Sequence, residues 1–455
     1  MMGNAPLFSC SSAGRTPMME TIRAYRASLL HFVADPLHDP QATRFIEDGL
    51  LRVRDGRIQD AVPYDSLTEA ERQSMTVTDY RGRLLMPGFI DTHLHFPQTE
   101  MIASYGEQLL SWLNTYTFPT ERKFADEDYA RERAAFFIQE LLRHGTTSAL
   151  VFATVHPQSV DALFSAAEAK NMCLIAGKVM MDRHAPDYLC DTAQQSYDES
   201  KALIEKWHRR GRLRYAVTPR FAPTSTPAQL AQAGRLLREY PDVYLHTHLS
   251  ENPDEIAWVK SLFPEHQHYL DVYHHHGLTG RRSVFAHAIH LQPDEIRTLA
   301  HSQSAVAFCP CSNLFLGSGL FRLHPLKAAG IRIGIGTDVG AGTSLSLLQT
   351  LSDGYKVQQL QGEKLSAREG LYQATLGGAA ALSLDDRLGN FLPGKEADFV
   401  VLDWAATPLQ QLRQQQSTSL DDRLFALMMQ GDDRNISATY VNGQCVYRRQ
   451  TPDRN

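Results

Sequence analysis

Met86-Pro87-Gly88-Phe89-Ile90-Asp91-Thr92-His93-Leu94-His95 is the stretch on which the fold turns. It is a short apolar run, entered through Pro-Gly, that ends in two histidines. Side chains two residues apart on a strand share a face, so both imidazoles point the same way. Seven more short apolar runs follow: 147–153, 174–181, 213–221, 243–249, 283–288, 305–309 and 331–337. Amphipathic helical patterns lie between them, at 131–143, 200–210 and 227–239 among others. Eight strands alternating with helices predict an α/β protein, a closed parallel (β/α)8 TIM barrel. A doubly wound open sheet is the rival, because both begin as β-α repeats.

Outside the barrel both ends read as β. Residues 50–58 alternate around Asp55-Gly56, a hairpin signal. Residues 397–402 and 439–447 look alike. Neither end has enough strands to bury a core alone. The expectation is one small β-sandwich domain from 21–86 and 386–455, with the catalytic barrel at 87–385 inserted and a disordered segment at 1–20.

Composition narrows the function. The chain has 455 residues, 43% hydrophobic and 21% charged, an ordinary globular balance. No apolar run approaches the ~20 residues of a membrane helix. The formal charge of −6 comes without a dense Lys/Arg block, which argues against nucleic acid and polybasic membrane binding. Six scattered cysteines form no C-x-x-C pair, and the start lacks a signal-peptide pattern. A reducing, cytoplasmic location is expected, with residues 1–17 dispensable.

The 19 histidines carry the chemistry. His93 and His95 end run one, His246 and His248 end run five, His287 ends run six and Asp338 ends run eight. Barrels place catalytic groups at the C-terminal ends of their strands. A single histidine there is more often a packed core residue. Donors at four strand ends point instead to a metal site, and imidazoles with one carboxylate suit a borderline ion such as zinc. Glu251, three residues on, favours His248 over His246 as the ligand. His144 and His274-His275-His276 read as helix ends.

These motifs (P-G-F-I-D-T-H-L-H, H-x-x-E, the strand-six His and G-T-D) resemble the amidohydrolase superfamily. From about residue 25 to 447 the chain also resembles its bacterial-type guanine deaminase family. Residues 93–98, 178–182, 218–223 and 312–319 carry that likeness. His184 stands where the family has Asn.

The resemblance implies one zinc ion, with iron as an alternative, held by His93, His95, His248 and Asp338. His287 would orient a water whose pKa the metal lowers, and Glu251 would relay its proton to N3 of guanine, with Asp338 as a further acceptor. Xanthine and ammonia would result. Gln98, Arg220 and Phe221 would contact the substrate with Glu251. Strand four carries Arg220 where binuclear relatives place a bridging Lys, so a single metal is expected, and Lys178 is read as structural. A homodimer is implied by family analogy. Alternatives on the same barrel are hydrolases of cytosine, triazines or thioadenosine-type nucleosides. The unrelated cytidine-deaminase zinc site needs P-C-x-x-C, whereas this chain offers Cys309-Pro310-Cys311.

Overall fold

A computed structural model describes residues 22–105 and 108–450. The expected disordered segment at 1–20 lies outside the described residues. Each of the eight runs forms a barrel strand: Phe89–His95, Thr146–Phe152, Cys173–Gly177, Leu213–Pro219, Tyr244–Leu249, Ser283–His287, Ala305–Phe308 and Arg332–Ile335. These are barrel strands one to eight below. They pair in parallel in chain order, and the short strand Val179–Met180 adds to strand four. The chain just beyond strand eight closes the ring. Asp338 N–H donates to His93 O at 2.9 Å and His95 N–H to Val339 O at 2.7 Å. That closure excludes the open doubly wound sheet.

Closure explains the composition of the strands. A parallel barrel is covered on both faces, inside by its own side chains and outside by helices. Strands one and two are accordingly buried at every position. The helix Pro227–Glu239 shows the outer layer. Thr226 caps its first turn by accepting from Gln229 N–H, and Pro227 sits where no N–H is needed. Leu230, Ala233 and Leu236 then fall on one buried face. Burying each leucine contributes roughly 1.5–3 kcal/mol.

The two ends combine in one seven-stranded sheet. Arg23–Phe32, Thr43–Arg54, Arg57–Pro63 and Thr76–Pro87 come from the N-terminal side. Phe399–Asp403, Ile436–Val441 and Gln444–Arg448 come from the C-terminal side. The seam is antiparallel, with Val400 opposite Met86 and Leu402 opposite Leu84. Asp55-Gly56 and Asn442-Gly443 turn with φ of 51° and 75°, and 48° and 73°, as a two-residue type I′ hairpin requires. One face of the sheet encloses Tyr25, Phe399 and Tyr440, with the last two rings stacked at 4.3 Å.

Two insertions have no counterpart in the sequence reading. A helical run from Leu109 to Ala125, with a π-helical turn at Leu113–Thr117, follows strand one. Helices Pro408–Gln415 and Leu420–Gln430 interrupt the C-terminal strands. No helix among the described residues is long and apolar enough to cross a membrane.

Candidate active site

His95 closes strand one, His248 is the penultimate residue of strand five and His287 closes strand six. Asp338 lies three residues beyond strand eight. Ser250, His287, Ala288 and Asp338 all have left-handed backbones, with φ of 47°, 71°, 50° and 50°. Non-glycine residues held there store strain of order 1–3 kcal/mol each, and such residues concentrate at functional sites.

Three of these groups, His95, His248 and Asp338, face one point together with His93. The ligand atoms of His93, His95, His248 and Asp338 all lie within 4.8 Å of one another, on four buried residues. His248 Nδ1 lies 2.7 Å from the backbone oxygen of Arg220. Its proton belongs there, which leaves a lone pair on Nε2. That Nε2 lies 3.2 Å from Nε2 of His95. His93 Nδ1 lies 2.7 Å from His246 Nε2. His93 Nε2 is 3.1 Å from Asp338 Oδ1, yet is buried without a hydrogen-bond partner. Burial pushes His95 down to about 3 and also lowers His93 and His248, so the rings are neutral. Three neutral imidazoles and a carboxylate form a set that could hold a borderline divalent ion.

Beside the cluster stands a second acid group. Glu251 Oε2 lies 3.4 Å from His287 Nε2, and Ser318 Oγ donates to Glu251 Oε1 at 3.2 Å. Burial and the Asp338 charge push Glu251 up to about 8. His287 Nδ1 is fixed on Asn313 Oδ1 at 2.9 Å, so its Nε2 looks toward Glu251 and Asp338. Glu255 accepts from the backbone N–H groups of Glu251 and Asn252, and from Tyr269 Oη.

Gln98 and Arg220 line the same cavity as the acid groups and bring hydrogen-bond donors to it. Arg220 Nη1 donates to both Glu121 oxygens, at 2.9 and 2.8 Å. Gln98 Nε2 donates to Glu121 Oε1 at 3.3 Å, and Gln98 Oε1 accepts from Gly340 N–H at 3.2 Å. Donors, acids and three of the four cluster residues, His95, His248 and Asp338, line one cavity, completed by Trp112, Leu113, Phe221 and Leu316 among others.

Residues 84–446 match the amidohydrolase family. The chain is 59% identical over 432 residues to guanine deaminase of Escherichia coli (strain K12), which covers 94% of this chain and 98% of that one. The chain belongs to the amidohydrolase family. It is also similar to a solved structure of E. coli guanine deaminase, at 58% identity and a TM-score of 0.92 over 94% of this chain and all of that one (100%). A guanine deaminase from C. acetobutylicum, solved with guanine in its active site, matches at 30% identity and a TM-score of 0.86, again over 94% of this chain and 100% of that one.

The expected site residues of this amidohydrolase all reach one cavity or the cluster at its base. His246 stands behind the cluster, against His93. His184 donates from Nδ1 to Pro223 O at 2.8 Å, beside Trp258. Lys178 is buried between Asp191 and Glu199. His144 caps the helix Glu127–Arg143, and the His274–276 run ends the helix Tyr269–His275. Glu121, Glu255 and Trp112 escape the sequence reading, and Asn313 and Ser318 fall in its 312–319 stretch without a role of their own. Glu121 is 99 residues from its partner Arg220, so no local spacing betrays it. Glu255 does leave a trace, as the third helical residue of an Asn252 capping box.

Proposed function

We propose that this amidohydrolase deaminates guanine to xanthine and ammonia with one zinc ion, with iron as the alternative metal. The observation that carries the reading is the shared cavity, which His95, His248 and Asp338 line together with Gln98 and Arg220. His93, His95, His248 and Asp338 would hold the metal. Its chemistry is to lower the pKa of a water toward ~7, so that hydroxide is available at neutral pH.

The protein's own groups do the rest. Arg220 and Gln98 donate to the acceptor edge of guanine, the side of O6 and N7. Phe221 frames the ring. Glu251, poised near neutrality, takes the proton that water sheds and delivers it to N3 as the water oxygen adds to C2. His287 and Asp338 orient that oxygen. The proton left on the added oxygen passes by way of Asp338 to the amino group, and as the C2–N bond breaks and the C2 carbonyl forms, the amino group leaves as ammonia. Proton transfer by a placed group is worth roughly 10²–10⁴-fold, so Glu251→Gln keeps metal and fold but loses turnover on that scale.

The catalytic unit is the barrel at 87–385, and the composite β unit spans 21–86 and 386–455. A cytoplasmic homodimer fits the family resemblance, and light scattering on the purified protein reads the oligomer. The deciding experiment measures ammonia release from guanine, cytosine and adenine, with metal content on the same sample. Release from guanine alone, at about one zinc per chain, supports the proposal. Preference for another ring refutes it.

A further inference from the structure

Arg220 and Gln98 project toward the cavity from different parts of the barrel, and a third residue holds both. Glu121 is fully buried (0% exposed) and paired with an Arg220 that is itself buried. Its carboxylate takes Arg220 Nη1 on both oxygens and the Gln98 amide nitrogen on one. Phe118, on the same short helix, lies under the guanidinium with its ring centre 5.5 Å from Cζ. Cation and ring attract at such distances.

The Gln98 amide could in principle present either its oxygen or its nitrogen. Here the choice is forced. A backbone N–H, that of Gly340, faces one end of the amide, and a carboxylate faces the other. A flipped amide would set donor against donor at Gly340 and acceptor against acceptor at Glu121. Arginine only donates. We infer that Glu121 is a specificity-determining positioning residue, which holds Gln98 and Arg220 as a donor-only edge and so selects purines that carry a carbonyl, not an amino group, at C6.

The inference rests on the purine reading above. Its chemistry is concrete. If Gln replaces Glu121, one of its two end atoms becomes a donor. Whichever end that is, it meets a nitrogen of Arg220 or Gln98 that also donates. The pair must then shift or rotate, and the edge loses its fixed polarity.

Hypoxanthine and adenine differ in the C6 group and lack the C2 amino group, so neither has the leaving group of the proposed reaction. Calorimetry on the metal-loaded wild-type protein should show hypoxanthine bound far more tightly than adenine. Sites built to pair a given polar group discriminate by up to ~10⁴-fold. In Glu121→Gln that affinity ratio should fall by at least about tenfold. KM for guanine should rise more than kcat falls, and metal content should stay unchanged. An unchanged hypoxanthine-to-adenine ratio in a folded, metal-loaded variant overturns the inference. If Glu121→Gln does not fold, Glu121→Asp keeps the charge but withdraws it by one methylene. The same ratio is then read on that protein, and an unchanged value there overturns the inference too. Failure of the wild-type protein to deaminate guanine would instead overturn the reading beneath it.

Discussion

His246 and His248 show how much one hydrogen bond decides at the scale of the residue. Both point inward from strand five. His248 has its Nδ1 engaged by Arg220 O and its Nε2 in the cluster, whereas His246 meets His93 from behind. His248→Ala should therefore lose the metal. His246→Ala should still load to one equivalent at saturating zinc, with affinity weakened roughly 10–100-fold, the usual cost of removing a group that orients a ligand. Zinc titration of both variants checks this, and a metal-free His246→Ala would reverse the assignment. Arg220 carries a second lesson. Substituting it removes the proposed substrate donor and also strands Glu121 in the interior. Loss of one partner of a buried pair typically costs about 3–5 kcal/mol. Arg220→Met should thus lower the unfolding midpoint in urea as well as activity on guanine, while the metal ligands stay in place. Full stability with activity lost would show that Glu121 finds another partner.

At the scale of the element, the barrel strands pack so closely that some positions admit no side chain. Gly177 ends strand three, and a Cβ there would lie 1.7 Å from the backbone oxygen of Ala216 on strand four. A backbone atom cannot rotate away. Gly177→Ala should separate the two strands and destabilise by at least the ~1–3 kcal/mol of core overpacking. Thermal unfolding measures it, and an unchanged midpoint would mean that the sheet yields at no cost. The strands and the helix at 227–239 were legible because period-two and period-3.6 patterns are local. The run from Leu109 to Ala125 was not. Its residues serve the mouth of the barrel rather than a regular face, and its π-helical turn breaks the 3.6-residue period that a sequence reading relies on.

At the scale of the whole molecule, barrel and end sheet are fastened by charge. Arg212, immediately before strand four, pairs with Glu396 and Asp398, immediately before the strand Phe399–Asp403. Arg387 shares Glu396, and Asn442 N–H donates to Asp398 at 2.7 Å. All three members of the Arg212 triad are buried. Arg212→Met should cost about 3–5 kcal/mol, because two carboxylates stay buried with their main cation gone. Arg212 sits at the end of the barrel away from the mouth, so kcat/KM per folded molecule should hold. A large loss of activity in the folded variant would show that the two parts communicate.

The sequence by itself determined the eight strands, the pairing of the two ends, and the histidines and aspartate at the strand termini. Side-chain alternation, apolar run length and turn residues act over a few neighbours, so they are written where they operate. Strand count and the spacing to Glu251 already favoured closure and His248, but only the tertiary structure excluded the open sheet, set His246 behind the cluster, and brought Glu121, Asn313 and Glu255 onto the groups proposed to do the chemistry. Apart from the local contacts of Glu255, those choices depend on which donor meets which acceptor across tens to hundreds of residues, and the energy of such a contact exists only once burial has removed water from both partners.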